Sequence, residues 1–585
     1  MRLLGLCTLG VAFTVIMVGG GCGGNSETPT TATQTISPTL TPVSTASATA
    51  PRLVPTAAGV TGSVLDKPIF PSFELDGIRY GGTVRSPTTG SSALDPKLNN
   101  SAIGTDIRPV YEKLVKFEAA GDDPFMQLAP GLAESWSSST DLMTYTFKLR
   151  RGVRWQNVPP VNGREFVAAD AAFSMNRYRE KDAVAYSLYQ QIESIETPDN
   201  YTVVVKVKEP TAYLIQDLFA NFDYVVSPEL VAESGGTLTT KAVGTGPYIM
   251  KRFALRQGSS HVRNPDYWGK DSKGNPLPYT DAWEVPYIPD TTTQNAAFRA
   301  GQLDFTDATN LDTVIAMGKT TPMRVYSTGV DLQGQGFTFR SDKAPWNDVR
   351  VRRAFNHAID KNRFGDIVAG PGRWLYSGPL PFGLFFGRAL TLDDLGPYAK
   401  YDPAATKRLL IEAGFKDGTM TVPTTLAAAQ TAVYGPRTSA FQALYKEQGI
   451  YFELQSMDMA TYNPYYFNRA FADIALTHHI SIQPNLNSYA QAKWHPDAAQ
   501  NTAWINNPEV NRVLKEIKMT TDPVKIRDYA KFLWDFDTLG SYTVWTPVNI
   551  RYTVGSARIR NFSSRTGGTG FVPLLWLADA PRTSP

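Results

Sequence analysis

Apolar and polar residues alternate along YTFKLRRGVRW (145–155) and YTVVVKVKE (201–209), the period of a strand with one buried face. Between them FVAADAAFSMNRYREK (166–181) carries its apolar residues at helical spacing. Three later stretches also read as helices: DVRVRRAFNHAIDKNRFGDIVAG (348–370), DPAATKRLLIEAGF (402–415) and PEVNRVLKEIKM (508–519). In the first, Val349, Ala354, Phe355, Ala358 and Ile359 form an apolar stripe and the arginines the opposite face. In the second, Asp402 then Pro403 is an N-cap followed by a first-turn proline, and Gly414 is the stop. Strand and helix periods interleave, which predicts an α/β body. With 41 prolines and 46 glycines, that body has many connections.

The N-terminal end breaks this pattern. After Met1-Arg2, residues 3–18 (LLGLCTLGVAFTVIMV) are almost wholly apolar, and GGGCGG (19–24) follows. This resembles a bacterial lipoprotein signal, which implies removal of residues 1–21 and a lipid on Cys22. Gly19 stands where such signals usually place Leu, and an uncleaved membrane anchor is the second reading. The two cysteines are Cys7 and Cys22, so the chain beyond Cys22 has no disulfide and no thiol chemistry. Residues 22–65 are dominated by Thr, Pro, Ser and Ala, a composition that stays extended and reads as a stalk. The expected location is therefore the outer face of the cell membrane, or the periplasmic space where an outer membrane exists.

Composition narrows the function. A chain of 585 residues with 42% hydrophobic and 19% charged residues is long enough for several domains. A net charge of +3 without a Lys/Arg run argues against a nucleic-acid surface. No HExxH, GxSxG, Walker-type loop or CxxC pair is present, so no enzyme class is indicated and no cofactor is expected. An extracellular hydrolase with an unrecognised carboxylate dyad is one alternative, and a sensor that works without a transporter is another.

One order of motifs is distinctive. GGTVRSP and LDP precede VYEKLVKFE, LAPGLAESWSSSTDLMTYTFKLRRGVRW and FVAADAAFSMNR. Then come VGTGPYIMKRF, RNPDYWGK, FRAGQLDF, WNDVRVRRAFNHAIDK, YDPAATKRLLIEAGF and NNPEVNRVLKEI. This series resembles the family 5 extracellular solute-binding proteins, peptide- and nickel-type receptors of ATP-binding cassette importers, over about 81–562. The resemblance implies a two-lobed, periplasmic-binding-protein-like (class II) α/β fold with an extra domain inserted in the first lobe. The corresponding boundaries are 66–105, 227–318 and 536–585 for the first lobe, 106–226 for the inserted domain and 319–535 for the second lobe. It also implies a small solute, a peptide or else a metal chelate or other non-peptide, held between lobes that close on a hinge. The implied partners are permease and ATPase subunits, and the expected state is a monomer. Glycines of GTGPY (244–248) are expected to turn the backbone tightly before a strand, and Tyr267 and Trp268 to pack at a domain edge. Asp348 and Arg350 are expected at a helix cap and on a solvated face.

The candidate ligand contacts follow from the same resemblance. GPGRWLYSGPLP (370–381) is expected to approach the cleft, where Trp374 and Tyr376 would form a wall; the alternative is a surface loop anchored by its own aromatics. Thr105 is a further expected contact. In peptide-binding relatives the segment matching DIALTHHISIQPNLNSYA has Gly-Trp at the positions of His478 and His479, and an aspartate at Ile482 that pairs with the peptide ammonium. Asp473 keeps the first acid of that pattern and Ile482 loses the second, so a free amine is not expected to be required. On an extended strand His478 and His479 would point to opposite faces, and His261, His357 and His495 are unsuitably spaced. A pocket-lining role is expected for the pair, with plain packing as the alternative, and no metal.

Overall fold

The alternation at 144–149 becomes the strand Thr144–Leu149, with Tyr145, Phe147 and Leu149 buried and Lys148 exposed. It pairs with Ala133–Ser138 on one side and Thr202–Val207 on the other, and Ile192–Asp199 completes a four-stranded antiparallel sheet. The helix Ala168–Arg177 covers it; Asp170 receives the Val167 N–H at 3.1 Å and pairs with Arg164 at 2.8 Å. Phe147, Phe166, Met175 and Val205 share the core of this inserted domain.

The computed structural model describes residues 76–89, 94–98, 106–119, 126–183, 185–219, 224–308, 311–327, 335–429, 434–476, 485–550, 552–562 and 574–581. The expected leader, Cys22, the stalk, Thr105, His478, His479 and Ile482 lie outside them.

The first lobe is built on two sheets. Thr83–Arg85, Ala282–Pro286, Gly258–Arg263 and Tyr248–Ala254 form one, and Phe305–Ala308, Tyr552–Ser556 and Met323–Ser327 the other. Val84, Trp283, Phe305 and Leu577 meet in one core, so the early and late parts of the chain build this lobe together. The second lobe has a five-stranded sheet in the order Ile450–Met457, Met420–Ala429, Ile474–Leu476, Gly336–Phe339, Thr543–Trp545. Its core gathers Phe337, Phe355, Phe441 and Tyr445. A neighbouring cluster around Trp494, Leu514 and Trp534 joins the helices Leu486–Trp494, Pro508–Lys518 and Pro523–Gly540. Among the described residues no helix is long and apolar enough to cross a membrane.

Two expectations change in detail. The single helix over 348–370 is two, Val349–His357 and Lys361–Ala369, because Asp360 takes an extended backbone and caps the second through the Asn362 and Arg363 N–H groups. The arginine face is not all solvated either: Arg352 is buried, donating to Trp346 O and Gly540 O and lying over the Tyr542 ring. The helix Pro403–Glu412 forms as read, with Asp402 accepting the Ala405 N–H at 2.8 Å and Gly414 at φ +94°.

The GTGPY glycines serve a purpose other than positive φ. A Cβ on Gly244 or Gly246 would lie 2.1 or 2.5 Å from Val110 O, so two backbones approach where no side chain fits. Beside them Glu112 accepts from Tyr267 Oη and Trp268 Nε1, each at 2.8 Å, and from Thr245 Oγ1 at 2.9 Å. Tyr267 and Trp268 thus fasten the inserted domain to the first lobe, the edge role expected of them. Asp348 likewise caps its helix through the Arg350 N–H at 2.8 Å.

Candidate functional site at the lobe junction

The chain passes from first to second lobe between Met323–Ser327 and Gly336–Phe339, and returns from Thr543–Trp545 through Val548–Asn549 to Tyr552–Ser556. Both crossings fall later than the expected 318/319 and 535/536, because 323–327 pairs with 552–556 and 543–545 with 336–338. Outgoing and returning strands pair antiparallel on both sides of the junction. A Cβ on Gly336 would lie 2.4 Å from Val544 O, so glycine is required for this approach. Two chain crossings flanked by paired strands in each sheet are the geometry of a hinge.

Buried polar groups tie the second-lobe side together. Ser377 Oγ accepts from Gln335 N at 3.1 Å and donates to Thr546 O at 2.8 Å. Thr546 N donates to Gln335 O at 2.9 Å. Arg437, in the first turn of the helix Gly435–Lys446, donates from Nη2 to Thr546 Oγ1 at 2.6 Å and Pro547 O at 2.5 Å.

Arg437 is 1% exposed, its Nε has no hydrogen-bond partner among the described residues, and burial pushes it down to about 10. Its guanidinium carbon lies 5.2 Å from the centre of the Phe364 ring. One turn before Phe364, on the same helix, Lys361 is 2% exposed and its Nζ has no hydrogen-bond partner among the described residues. Burial pushes Lys361 down to about 7, partly opposed by Asp360. Both cations therefore stand in the first turns of helices, where the macrodipole disfavours positive charge. An unpaired buried cation costs several kcal/mol. Both cations are buried near the junction, Arg437 bonded to the return connection and Lys361 on the helix that also carries Phe364.

Trp374 and Tyr376 lie next to it. The strand Trp374–Leu375 pairs with Val548–Asn549 on the return connection. The Trp374 indole lies on the helix Lys361–Ala369 so closely that a Cβ on Gly365 would be 2.5 Å from it. Its Nε1 donates to Asp366 at 2.8 Å, its ring meets Tyr376 edge-on at 5.1 Å, and Tyr376 Oη donates to Asn362. Both side chains are half-buried and anchored to one helix. The histidine segment begins beyond Ile474–Leu476; Leu476 is paired with Phe337, beside the hinge glycine. Asp473 accepts from Trp346 Nε1 at 3.2 Å, a packing role. His261 is buried between Trp283 O and Asp106 O, and among the described residues no cluster fit for a metal ion exists.

Sequence reasoning reached Trp374 and Tyr376 but missed Lys361, Arg437, Ser377, Gln335 and Thr546. The legible signal was a cation in the first turn of each of two helices; the neutral residues carry none.

The family described as bacterial extracellular solute-binding proteins, family 5 (middle) matches residues 127–501. A relative from Haemophilus influenzae, heme-binding protein A, is 29% identical over 356 residues, covering 57% of this chain and 62% of its own length. A putative ABC transporter peptide-binding protein of Brucella ovis is 27% identical over 478 residues, covering 77% of this chain and 84% of its own. The structure of the periplasmic binding protein DppA from Helicobacter pylori in complex with the peptide STSA superposes with a TM-score of 0.68 at 21% identity, covering 86% of this chain and 99% of that one. That likeness establishes the two-lobed fold. By the family match across most of its body, the chain belongs to the family 5 bacterial extracellular solute-binding proteins.

Proposed function

We propose that the chain is the substrate-binding receptor of an ATP-binding cassette importer, which closes two lobes on a peptide or similar solute and delivers it to the permease. It works on the outer face of the cell membrane, held by a lipid on Cys22, as a monomer and without chemical turnover. The observation that carries the reading is the paired hinge with Lys361 Nζ and Arg437 Nε buried beside it and without a hydrogen-bond partner among the described residues. Cations so placed fit a carboxylate of the solute, met in a site closed to water. Trp374 and Tyr376 supply the adjoining wall, while Thr105, His478, His479 and Ile482 remain proposed contacts. A second reading, a haem or a metal chelate, is favoured by the likeness to a heme-binding protein. Carboxylates of such a ligand suit the same cations.

Calorimetric titration of residues 66–585 with alanine tripeptide, its C-terminal amide and haemin separates these readings. Binding of the free acid over the amide supports the peptide receptor, and binding of haemin alone supports the second reading. No binding of any of the three overturns both, and cleavage of the peptide overturns a receptor without chemistry. Scattering from a saturated complex should show a smaller radius of gyration, and an unchanged radius rules out closure. Cys22→Ala should release the protein from the membrane; retention would make residues 3–18 an anchor.

A further inference from the structure

Leaving the strand Thr202–Val207, the inserted domain sends residues 209–217 onto the helices of the second lobe. Four contacts hold this segment there. Glu209 pairs with Lys518 at 2.8 Å, and Ala212 N donates to Lys518 O at 2.9 Å, at the end of the helix Pro508–Lys518. Tyr213 is 2% exposed and belongs to the second-lobe cluster of Tyr489, Leu514 and Ile517. Asp217 reaches the start of the helix Leu486–Trp494, where its carboxylate accepts from Asn485 Nδ2 at 2.7 Å, from Asn487 Nδ2 at 3.3 Å and from Ser488 Oγ.

The placement of Asp217 is chemically selective. Asn485 already caps that helix by accepting the Ser488 N–H at 2.9 Å, so its amide is free to donate outward. A carboxylate at a helix N-terminus, held by three side-chain donors, is a favoured charge-assisted arrangement. These donors all belong to the second lobe and the acceptor to the inserted domain, so none of the bonds survives separation of the two bodies.

We propose that residues 209–217 are a clasp that holds the inserted domain against the second lobe without a solute, so that the empty receptor already populates a closed state. The consequence for capture rests on the receptor reading above, but the clasp contacts are made by the chain's own residues alone. Solute then adds to a closed state that the clasp has made accessible, and opening for release requires the clasp to break. Tyr213 sets a limit on its strength: its buried hydroxyl has no hydrogen-bond partner among the described residues, a penalty incurred only while the clasp is docked.

The body beyond Cys22 has no cysteine, so dyes can be placed on Glu196→Cys in the inserted domain and Val524→Cys in the second lobe, both exposed positions. Single-molecule energy transfer on solute-free protein then reads the closed and open populations directly. Asp217→Ala should lower the closed-to-open ratio about tenfold or more, Asp217→Asn should fall between it and the parent, and Tyr213→Phe should raise the ratio. Circular dichroism confirms that each variant is folded; should Asp217→Ala not fold, Asp217→Asn and Tyr213→Phe decide the matter. Distributions identical to the parent in the folded variants overturn the clasp. Failure of the receptor reading has a different signature: no shift on adding any of the three probes above, with the variant effects intact.

Discussion

Arg437 Nη2 donates to Pro547 O at 2.5 Å, fastening the helix Gly435–Lys446 to the strand returning from the second lobe, while Nε of the same guanidinium has no partner. The group thus holds the hinge with one edge and leaves another free. A purely structural arginine at 1% exposure would be expected to have its donors matched.

Arg437→Lys should keep the charge and lose the guanidinium plane, in which Nη2 bonds both Thr546 and Pro547 while Nε is left over for a solute. Affinity for a free-acid tripeptide should fall at least about tenfold, the scale of one charge-assisted hydrogen bond. Equal affinity in calorimetry would assign Arg437 to the hinge alone.

Lys361→Met removes a cation with no partner, so the empty protein should gain on the order of 1 kcal/mol while the tripeptide binds more weakly. The pH dependence gives the sign independently. With the folded value pushed down to about 7 from 10.5, the unfolded chain binds the extra proton between these values, so stability rises with pH across that window. Denaturant melts should show the rise in the parent and its loss in the variant. A destabilised variant with the parent's pH profile would place Lys361 in the fold alone.

Trp374→Ala should weaken solute binding and leave the melting temperature of the empty protein nearly unchanged, since the ring is half-buried at the junction. The indole also rests on Gly365 and bonds Asp366. If melting drops by several degrees without a change in affinity, that anchoring is its whole role.

Burial pushes His261 down to about 4 from 6.5, although Trp283 O and Asp106 O oppose the shift. The unfolded chain therefore takes up the proton first, and stability falls as pH drops from 6.5 towards 4. The loss should reach about 3 kcal/mol at about 1.4 kcal/mol per pKa unit. His261→Gln should flatten that part of the melting profile; a profile like the parent's would assign the acid sensitivity elsewhere.

With isoleucine at 482, N-acetylated and free tripeptides should bind within about tenfold of each other, under ~1.4 kcal/mol. Ile482→Asp should shift preference to the free amine. A strong free-amine preference in the parent protein would show that Ile482 is not the matching position or that another carboxylate has taken the role.

Sequence by itself determined the elements with a single strong period and the order of motifs. Tyr145, Phe147 and Leu149 face inward because a strand alternates, and Asp402 caps its helix because its side chain reaches a backbone N–H three residues on. Such choices depend on near neighbours, which a sequence displays. The break at Asp360 was local too, and the cap that makes it, an aspartate directly after the apolar stripe ends at Ile359, was overlooked. What only the tertiary structure decided was long-range meeting. Arg437 and Thr546 are 109 residues apart, Asp217 and Ser488 are 271, and no periodicity in either stretch requires them to touch. Burial of Lys361 and Arg437 likewise depended on which faces of two helices the second lobe covered. A charge looks the same in a sequence whether water or protein surrounds it, and only packing settles which.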